Sequence, residues 1–476
     1  MRTFVVALAV VTLAPALPAR AAQRPDSLGA QVKEYVRVDT AVLALTHVLV
    51  IDGTGSAPRP DQTVVIRDGK IAEIGPAQTV RVPAGVRTMD LSGSTVIPGL
   101  VGMHDHLFYT AAGSRFAQMS YTGQRLYLAA GVTTIRTTGS RSPYAEINLK
   151  DQIDRGLEPG PRIHITAPYI TGPQGGAMMA VLASPEAARR FVAYWAAEGA
   201  TWIKAYTDIR RAELGAAIAE AHKRGIKVTG HLCSVTLKEA VALGIDNLEH
   251  GMFAASDFDP TKAPDVCPAH VLARVNDADP HGDVAQVTIR TLVDHHVSMT
   301  STLAVVEPFV ANRPTKDARV LQAMAPEVRQ SYMKIRQEID SGGHGPVTLR
   351  GFQNAMAFER AFVAAGGLLA AGVDPTGIGG ALAGFGDQRN YELLVEAGFT
   401  PAEVVKIMTA NGARILGVEQ RLGTIEPGKL ADLVVLQGDL TTTPAAIRNV
   451  TIVFKDGVGY DSAKLIASVQ ERVGIN

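Results

Sequence analysis

Apolar and polar positions change their period twice along the chain. Over residues 45–97 the apolar residues alternate in short runs broken by Asp52-Gly53 and Asp68-Gly69. Period-two runs bounded by such pairs predict strands, here over 45–51, 63–67, 70–74, 88–91 and 95–97, with a hairpin at Asp68-Gly69. From 96 to about 374 the pattern becomes short β-rich runs alternating with segments of helical period. The runs lie at 96–104, 132–138, 162–169, 201–206, 227–232, 247–250, 299–306 and 368–374. Helical patterns fall at 123–130, 185–198, 212–224, 237–243 and 352–365, followed by 391–397 and 401–416. Eight strands with helices between them predict an α/β fold, a (β/α)8 TIM barrel. The tail returns to β at 432–436 and 451–455, with a second turn at Asp456-Gly457. The two β-rich ends flank the barrel, so they are expected to meet as one small β-sandwich. The predicted division is 22–96 plus 419–476 for the sandwich and 97–418 for the barrel.

The first 21 residues are read separately. Arg2 gives a short positive start, residues 4–17 are apolar, and Ala19-Arg20-Ala21 has the small-x-small form of a cleavage site. This predicts a secretory signal peptide over 1–21, and a secreted or periplasmic mature chain with no membrane span. Residues 253–294 hold Pro, Asp and His without clear periodicity and read as a long loop, either a lid or a surface excursion.

Composition narrows the function. Lys+Arg and Asp+Glu are equal at 46 each, which argues against a nucleic-acid partner and for a small-molecule one. A hydrophobic content of 46% supports a large core. Two cysteines, Cys233 and Cys267, exclude a disulfide scaffold and a cysteine zinc site; whether they pair is open, as is homo-oligomerisation.

The candidate chemistry gathers at predicted strand ends. His104 and His106 are two apart and so face the same side of the first barrel strand. Lys204, His231, His250 and Asp374 end strands four, five, six and eight. Barrels of this kind carry their sites at the C-terminal strand ends, and imidazole with carboxylate suits zinc or a similar divalent ion. Lys204 sits in the apolar run Trp202-Ile203-Lys204-Ala205-Tyr206. An ammonium there is costly to bury. It is either a salt-bridged lysine or a neutral amine able to take up carbon dioxide as a carbamate bridging two metals. Glu249 should point away from the metals by strand alternation and could orient a neighbour. Tyr206 is a candidate substrate contact or wall residue. His164, His222, His270, His281, His295, His296 and His344 read as wall, solvated or loop residues.

These motifs resemble the amidohydrolase superfamily, especially its imidazolonepropionase-related, prolidase-like exported branch. The resemblance rests on Val96-Ile-Pro-Gly-Leu through His106, Gly131-Val-Thr-Thr, Ile203-Lys204 and Gly230-His231. It continues through Gly244-Ile-Asp-Asn-Leu-Glu-His250-Gly, Ala371-Gly-Val-Asp374 and the Leu422-Gly-Thr-Ile-Glu-Pro-Gly run. It implies that His104, His106 and Asp374 hold one metal, that His231 and His250 hold a second, and that carboxylated Lys204 bridges them with a hydroxide. That hydroxide attacks the scissile carbonyl, and Asp374 is the general base that passes the proton to the leaving nitrogen. The implied activity is hydrolysis of a C–N amide bond in a dipeptide or N-acyl amino acid. A mononuclear deaminase or cyclic-amide hydrolase, a lactonase or esterase, and a non-catalytic binding member are the alternatives. Two departures stand out: Ala177 replaces the histidine of a Gly-Gly-His-Gly stretch, and Arg136-Thr137 stands where relatives have Arg-Asp.

Overall fold

The computed structural model describes residues 27–111, 115–176, 178–313, 317–343 and 345–475. The segment 1–21, Ala177 and His344 lie outside the described residues.

Both chain ends build one nine-stranded sheet. Val36–Val38, Val42–Val50, Arg59–Arg67, Lys70–Pro76, Arg87–Asp90 and Ser94–Pro98 come from the first end, and Leu433–Gln437, Val450–Lys455 and Val458–Asp461 from the second. Asp68-Gly69 and Asp456-Gly457 make hairpin turns, with Asp68 and Asp456 in left-handed conformation. The turns meet: Ala431 N donates to Gly69 O, and Gly457 N donates to Ala431 O. Leu45, Val64, Val96, Leu433 and Phe454 share one apolar cluster beneath. Eight of the strands follow one hydrogen-bonded path and Arg87–Asp90 pairs off it onto Val42–Val50, so the nine form a single sheet rather than two separate ones. The reason is Ser94–Pro98, which pairs in parallel with Val42–Val50 and antiparallel with Leu433–Gln437.

The apolar run from 94 onward is not one strand. Pro98 ends the first sheet, and the chain leaves it at Gly99, whose N donates to Asp432 O. A Cβ on Gly99 would lie 2.2 Å from Thr133 Oγ1, so only glycine passes there. Leu100–Asp105 then begins a second set of strands, labelled in chain order. These are β1 (Leu100–Asp105), β2 (Val132–Thr137), β3 (Arg162–His164), β4 (Trp202–Ala205), β5 (Lys227–Gly230), β6 (Asn247–Glu249), β7 (Ser298–Ser301) and β8 (Leu369–Ala371). All their pairings are parallel, in the orders β3-β2-β1 and β4-β5-β6-β7-β8. A parallel bridge from Thr166 to Trp202 links β4 to the chain leaving β3. On the other side Asp374 N donates to His104 O at 2.7 Å, joining the end of β8 to β1. Gly372 permits this approach, since a Cβ there would lie 2.2 Å from His104 N.

Helices alternate with these strands and start where the sequence supplies caps. The Ser184 side chain accepts from Ala187 N ahead of Pro185–Ala197, and Thr236 with Glu239 forms a capping box ahead of Leu237–Ala242. Two expectations are corrected. Residues 253–294 carry helices at Val271–Asp277 and Asp283–Asp294, because Ala285, Thr288, Ile289 and Leu292 form a buried helical face. The run 299–306 is strand only to Ser301. The chain then turns at Thr302 into the helix Leu303–Val306, and β-branched Val305 and Val306 line a cavity instead of extending β7. No helix among the described residues is long and apolar enough to cross a membrane.

Candidate metal centre

The C-terminal ends of the parallel strands open into a cavity of about 460 Å³. His104, His106, Lys204, His231, His250 and Asp374 all line it. Of these, His104, His250 and Asp374 bring one donor atom each to within 4.8 Å of one another. Nε2 of His106 lies 3.3 Å from Asp374 Oδ1. The His231 ring meets that of His250 edge to face, with ring centroids 4.3 Å apart. His250 and Asp374 both adopt left-handed backbone conformations that swing their side chains inward.

The hydrogen bonds decide which imidazole nitrogens are available. Glu249 faces away from the cavity on β6, as strand alternation predicts, and its Oε2 lies 2.8 Å from His104 Nδ1. Burial opposes charge on Glu249, but Arg136, Lys204 and His104 hold its carboxyl well below the usual range. An ionised Glu249 can only accept, so His104 Nδ1 carries the proton and Nε2 is left as a lone pair. That lone pair points at Asp374 Oδ2, 3.6 Å away. In the same way His106 Nδ1 donates to Gly139 O at 3.2 Å, so its Nε2 lone pair faces Asp374 Oδ1. Two acceptors facing a carboxylate need a cation between them. The donor set therefore fits a metal ion, with orienting hydrogen bonds behind each histidine.

Electrostatics point the same way. Burial pushes His104 down to about 4 and His231 down to about 3, with the Lys204 ammonium adding to both. Burial, then the neighbouring His231 and His104, drives His250 well below its usual value. Neutral imidazoles are the ligating form. Burial also opposes ionisation of Asp374; positive charge at His104, with the charge and hydrogen bonding of His106 and the charge of His250, outweighs it and holds that carboxyl low, a part that a metal cation takes over where the imidazoles are neutral. Lys204 is fully buried and its Nζ has no hydrogen-bond partner. Burial lowers it to about 8, against the pull of Glu249 and Asp374. An unpartnered buried amine is expensive and calls for an explanation.

Several neighbours escape a reading of the sequence alone. Arg136 donates to Glu249 at 2.6 Å and to Met103 O, and lies 4.5 Å over the Trp202 ring. Thr302 Oγ1 sits 2.7 Å from His250 Nδ1, and Tyr169 OH sits 3.3 Å from His106 Nε2. Only the Arg136-Thr137 departure hinted at the first of these. Tyr206 lines the cavity, its ring 5.0 Å from His231. Cys233, two residues past His231, is joined by a disulfide to Cys267, tying the following excursion to the cavity rim. His164 pairs with Arg136 across β2 and β3 and does not line the cavity. His222 bonds Asp246 at 3.0 Å on the surface, and His270 and His281 are exposed. His295 and His296 lie in a cleft of about 740 Å³ at the N-terminal ends of the strands. Among the described residues no second trio of ligating side chains converges, there or elsewhere.

The chain is similar to known proteins over most of its length. It is 24% identical over 410 residues to a dihydroorotase of Pelotomaculum thermopropionicum, covering 80% of this chain and 86% of that protein. A putative prolidase from Bifidobacterium longum has a solved structure that matches with a TM-score of 0.61 at 25% identity. The match covers 90% of this chain and 98% of that one. The structure of a Xaa-Pro dipeptidase with bound methionine in the active site matches at 0.64 and 20% identity, covering 88% and 100%. The family model named Amidohydrolase family matches residues 95–459, well over half of the chain. The span it covers runs from the strand before Gly99 through every ligand candidate above, and the chain belongs to the amidohydrolase family, as a hydrolase acting on carbon–nitrogen bonds.

Proposed function

We propose that the chain is an exported, binuclear metal-dependent amidohydrolase that cleaves the amide bond of dipeptides or N-acyl amino acids. The observation that carries this reading is Lys204, a buried amine with no partner, at the base of a cavity where lone pairs face a carboxylate. His104, His106 and Asp374 hold one ion, and His231 and His250 the other. The neutral Lys204 amine could add to the carbon of carbon dioxide with loss of a proton, and the resulting carbamate would add carboxylate-type donors to those of the histidines and Asp374. Imidazole and carboxylate donors favour zinc.

Bound divalent ions supply Lewis-acid polarisation of the scissile carbonyl and acidify water. The protein does the rest. Asp374, ionised at neutral pH, takes a proton from the attacking water and passes it to the leaving nitrogen. Glu249 and the Gly139 carbonyl fix the tautomers of His104 and His106. Tyr206 contacts the substrate from the wall beside His231.

The same reading closes the eight parallel strands into a (β/α)8 barrel over 97–418, with the small β unit, a curled sandwich, from 22–96 and 419–476. The Thr166–Trp202 bridge and the Asp374–His104 hydrogen bond support closure. Export is supported by the leader-like segment 1–21 and by the Cys233–Cys267 disulfide, a bond at home in oxidising compartments. The prolidase and dipeptidase relatives support dipeptide substrates. The dihydroorotase likeness favours a second reading, hydrolysis of a cyclic amide.

Amine release by metal-replete mature enzyme from dipeptides and N-acyl amino acids, beside ring opening of cyclic ureides, tests the proposal. Linear amides are expected to turn over and ureides not; the reverse moves the assignment to the second reading. Lys204→Ala is expected to lower bound metal and to cut turnover at least ~100-fold. Unchanged metal content and rate would remove the bridge.

A further inference from the structure

We propose that the cavity wall beyond the ligand cluster is an apolar subsite that selects amides carrying an aromatic or bulky aliphatic side chain, with Val306 and Phe309 setting this preference. The inference rests on the amide-hydrolase reading above and names the part of the substrate that reading leaves open.

Four rings lining the cavity form a continuous row. Phe116 meets Phe108 edge to face with centroids 5.7 Å apart, Phe108 meets Tyr169 at 6.5 Å, and Tyr169 meets Tyr206 at 5.4 Å. The row is tied to the ligand cluster at two points. Phe108 stacks on His106 at 4.5 Å, and the Tyr206 ring lies 5.0 Å from that of His231. Phe116 is exposed while Phe108 and Tyr169 are buried, so the row leads inward from the mouth towards the histidines. The Arg141 guanidinium carbon lies 3.7 Å from the Phe116 ring centroid and holds the outer end of the row.

A second apolar group comes from the chain after β7. Val305, Val306 and Phe309 line the same cavity, joined by Phe253 from the excursion after β6. Gly377, just past β8, fixes this side. Its φ is +64°, and a Cβ there would lie 3.1 Å from Phe309 Cε2 and 3.2 Å from Val305 Cγ2. Val306 is free of that close approach, so it is the position where added bulk goes into the cavity. Among the described lining residues the carboxylate is Asp374, which lies against the histidines and accepts from Thr376 Oγ1 at 2.7 Å. The wall therefore holds no counter-ion for a basic side chain. A ring or branched chain laid against it leaves water for an apolar surface without stranding a charge. Pockets of this make-up, apolar walls around a few convergent polar groups, are what small-molecule sites use to fix orientation and choose the side chain.

The test uses N-acetyl-L-phenylalanine and N-acetyl-L-alanine, which differ by one phenyl group, and the two ketones in which a methylene replaces their scissile NH. The ketones have no amide bond to cleave, so their binding to the metal-replete enzyme is measured by calorimetry. Amine release from the two parent amides is followed separately. Wild type is expected to bind the phenyl ketone about 10- to 100-fold more tightly than the methyl one, the range that burying a side chain of that size gives. Val306→Phe, which fills the subsite, should lower that ratio about tenfold, and Phe309→Ala, which removes part of its wall, about threefold. A wild-type ratio below about threefold, or a ratio unchanged in both variants, overturns the subsite. A fall of about threefold or more in either variant upholds it. Should Val306→Phe not fold, Phe309→Ala decides by the same threshold. A ratio that falls in the variants, with no amine released from either amide, upholds the subsite and overturns the amide-hydrolase reading. Amine release from both amides, with the two ketones bound equally, does the opposite.

Discussion

Two arginines on neighbouring strands do opposite jobs. Arg136 on β2 and Arg162 on β3 stand two rungs apart in register, since Thr134 pairs with Arg162 and Arg136 with His164. Each is paired with carboxylate, Arg162 with two groups and Arg136 with one. Arg162 meets Asp432 and Asp456 of the small sheet, its Nη2 2.5 Å from Asp456 Oδ1, and Asp456 N donates to Asp432 Oδ1. That cluster closes on itself and joins the two sheets. Arg136 meets Glu249 with both side chains fully buried, and Glu249 also accepts from Thr229 and Asn247. This cluster ends in an open valence: Glu249 accepts the hydrogen bond of His104 Nδ1–H, and His104 Nε2 is left with an unprotonated lone pair. A buried ion pair is weak evidence of stability in itself. What separates a structural pair from a functional one is whether the network saturates or passes an unsatisfied lone pair onward.

If that distinction is right, Glu249→Gln produces the larger and more varied effect. A neutral amide cannot compensate Arg136, and breaking a fully buried pair costs about 3–5 kcal/mol. It also loosens the tautomer of His104, and losing such an orienting partner typically costs about 10- to 100-fold in metal affinity or activity. Both losses are expected together, read by urea unfolding and by metal content at fixed free zinc. A variant that loses stability but binds metal as wild type does would reduce the Arg136 cluster to the same class as the Arg162 cluster.

The reciprocal change is Arg162→Met. It leaves Asp432 and Asp456 facing each other without their cation. The ends are partly solvated, with Arg162 16% exposed, so the expected loss is smaller, about 2–3 kcal/mol. Metal content and turnover per folded chain should stay within about twofold. A fall in metal content with stability intact would show that the joint between the sheets reaches the ligands.

Much of the site could be read from the residues because its logic is local to strands. The His104-x-His106 spacing fixes a shared face, and alternation turns Glu249 the other way. The oddity of Lys204 in an apolar strand is visible in five letters. What could not be read depends on contacts made across the chain. Strand pairing splits the run 94–105 at Gly99, and nothing in its apolar pattern marks the change of sheet. Arg141 is seen in the cavity wall only once the Phe108–Ala111 and Arg115–Gln118 hairpin places Phe116 against it. Arg136 stood out in the sequence only as the neighbour of the departing Thr137, and its partner stands 113 residues away. The Cys233–Cys267 pairing likewise required the excursion after β6 to fold back on β5.

The smallest effect is the most specific to the joint between sheets. Burial opposes charge on Asp456, but Arg162 and Lys455 outweigh it, so its folded pKa lies below the unfolded one. For a carboxyl shifted in that direction the unfolded state binds more protons as the pH drops, so stability falls with acid. The contribution is fully present above about pH 4, where an unfolded aspartate is ionised, and is lost as the pH falls through the folded value. Asp456→Asn is therefore expected to be less stable than wild type at pH 6, by about 1–2 kcal/mol. The two urea midpoints should converge as the pH is lowered from 4 towards 2. A gap that stays constant over that range would mean the asparagine loses packing or a backbone contact rather than a charge. Arg162 would then be held by Asp432 alone, and the joint would no longer be the saturated counterpart of the Arg136 cluster.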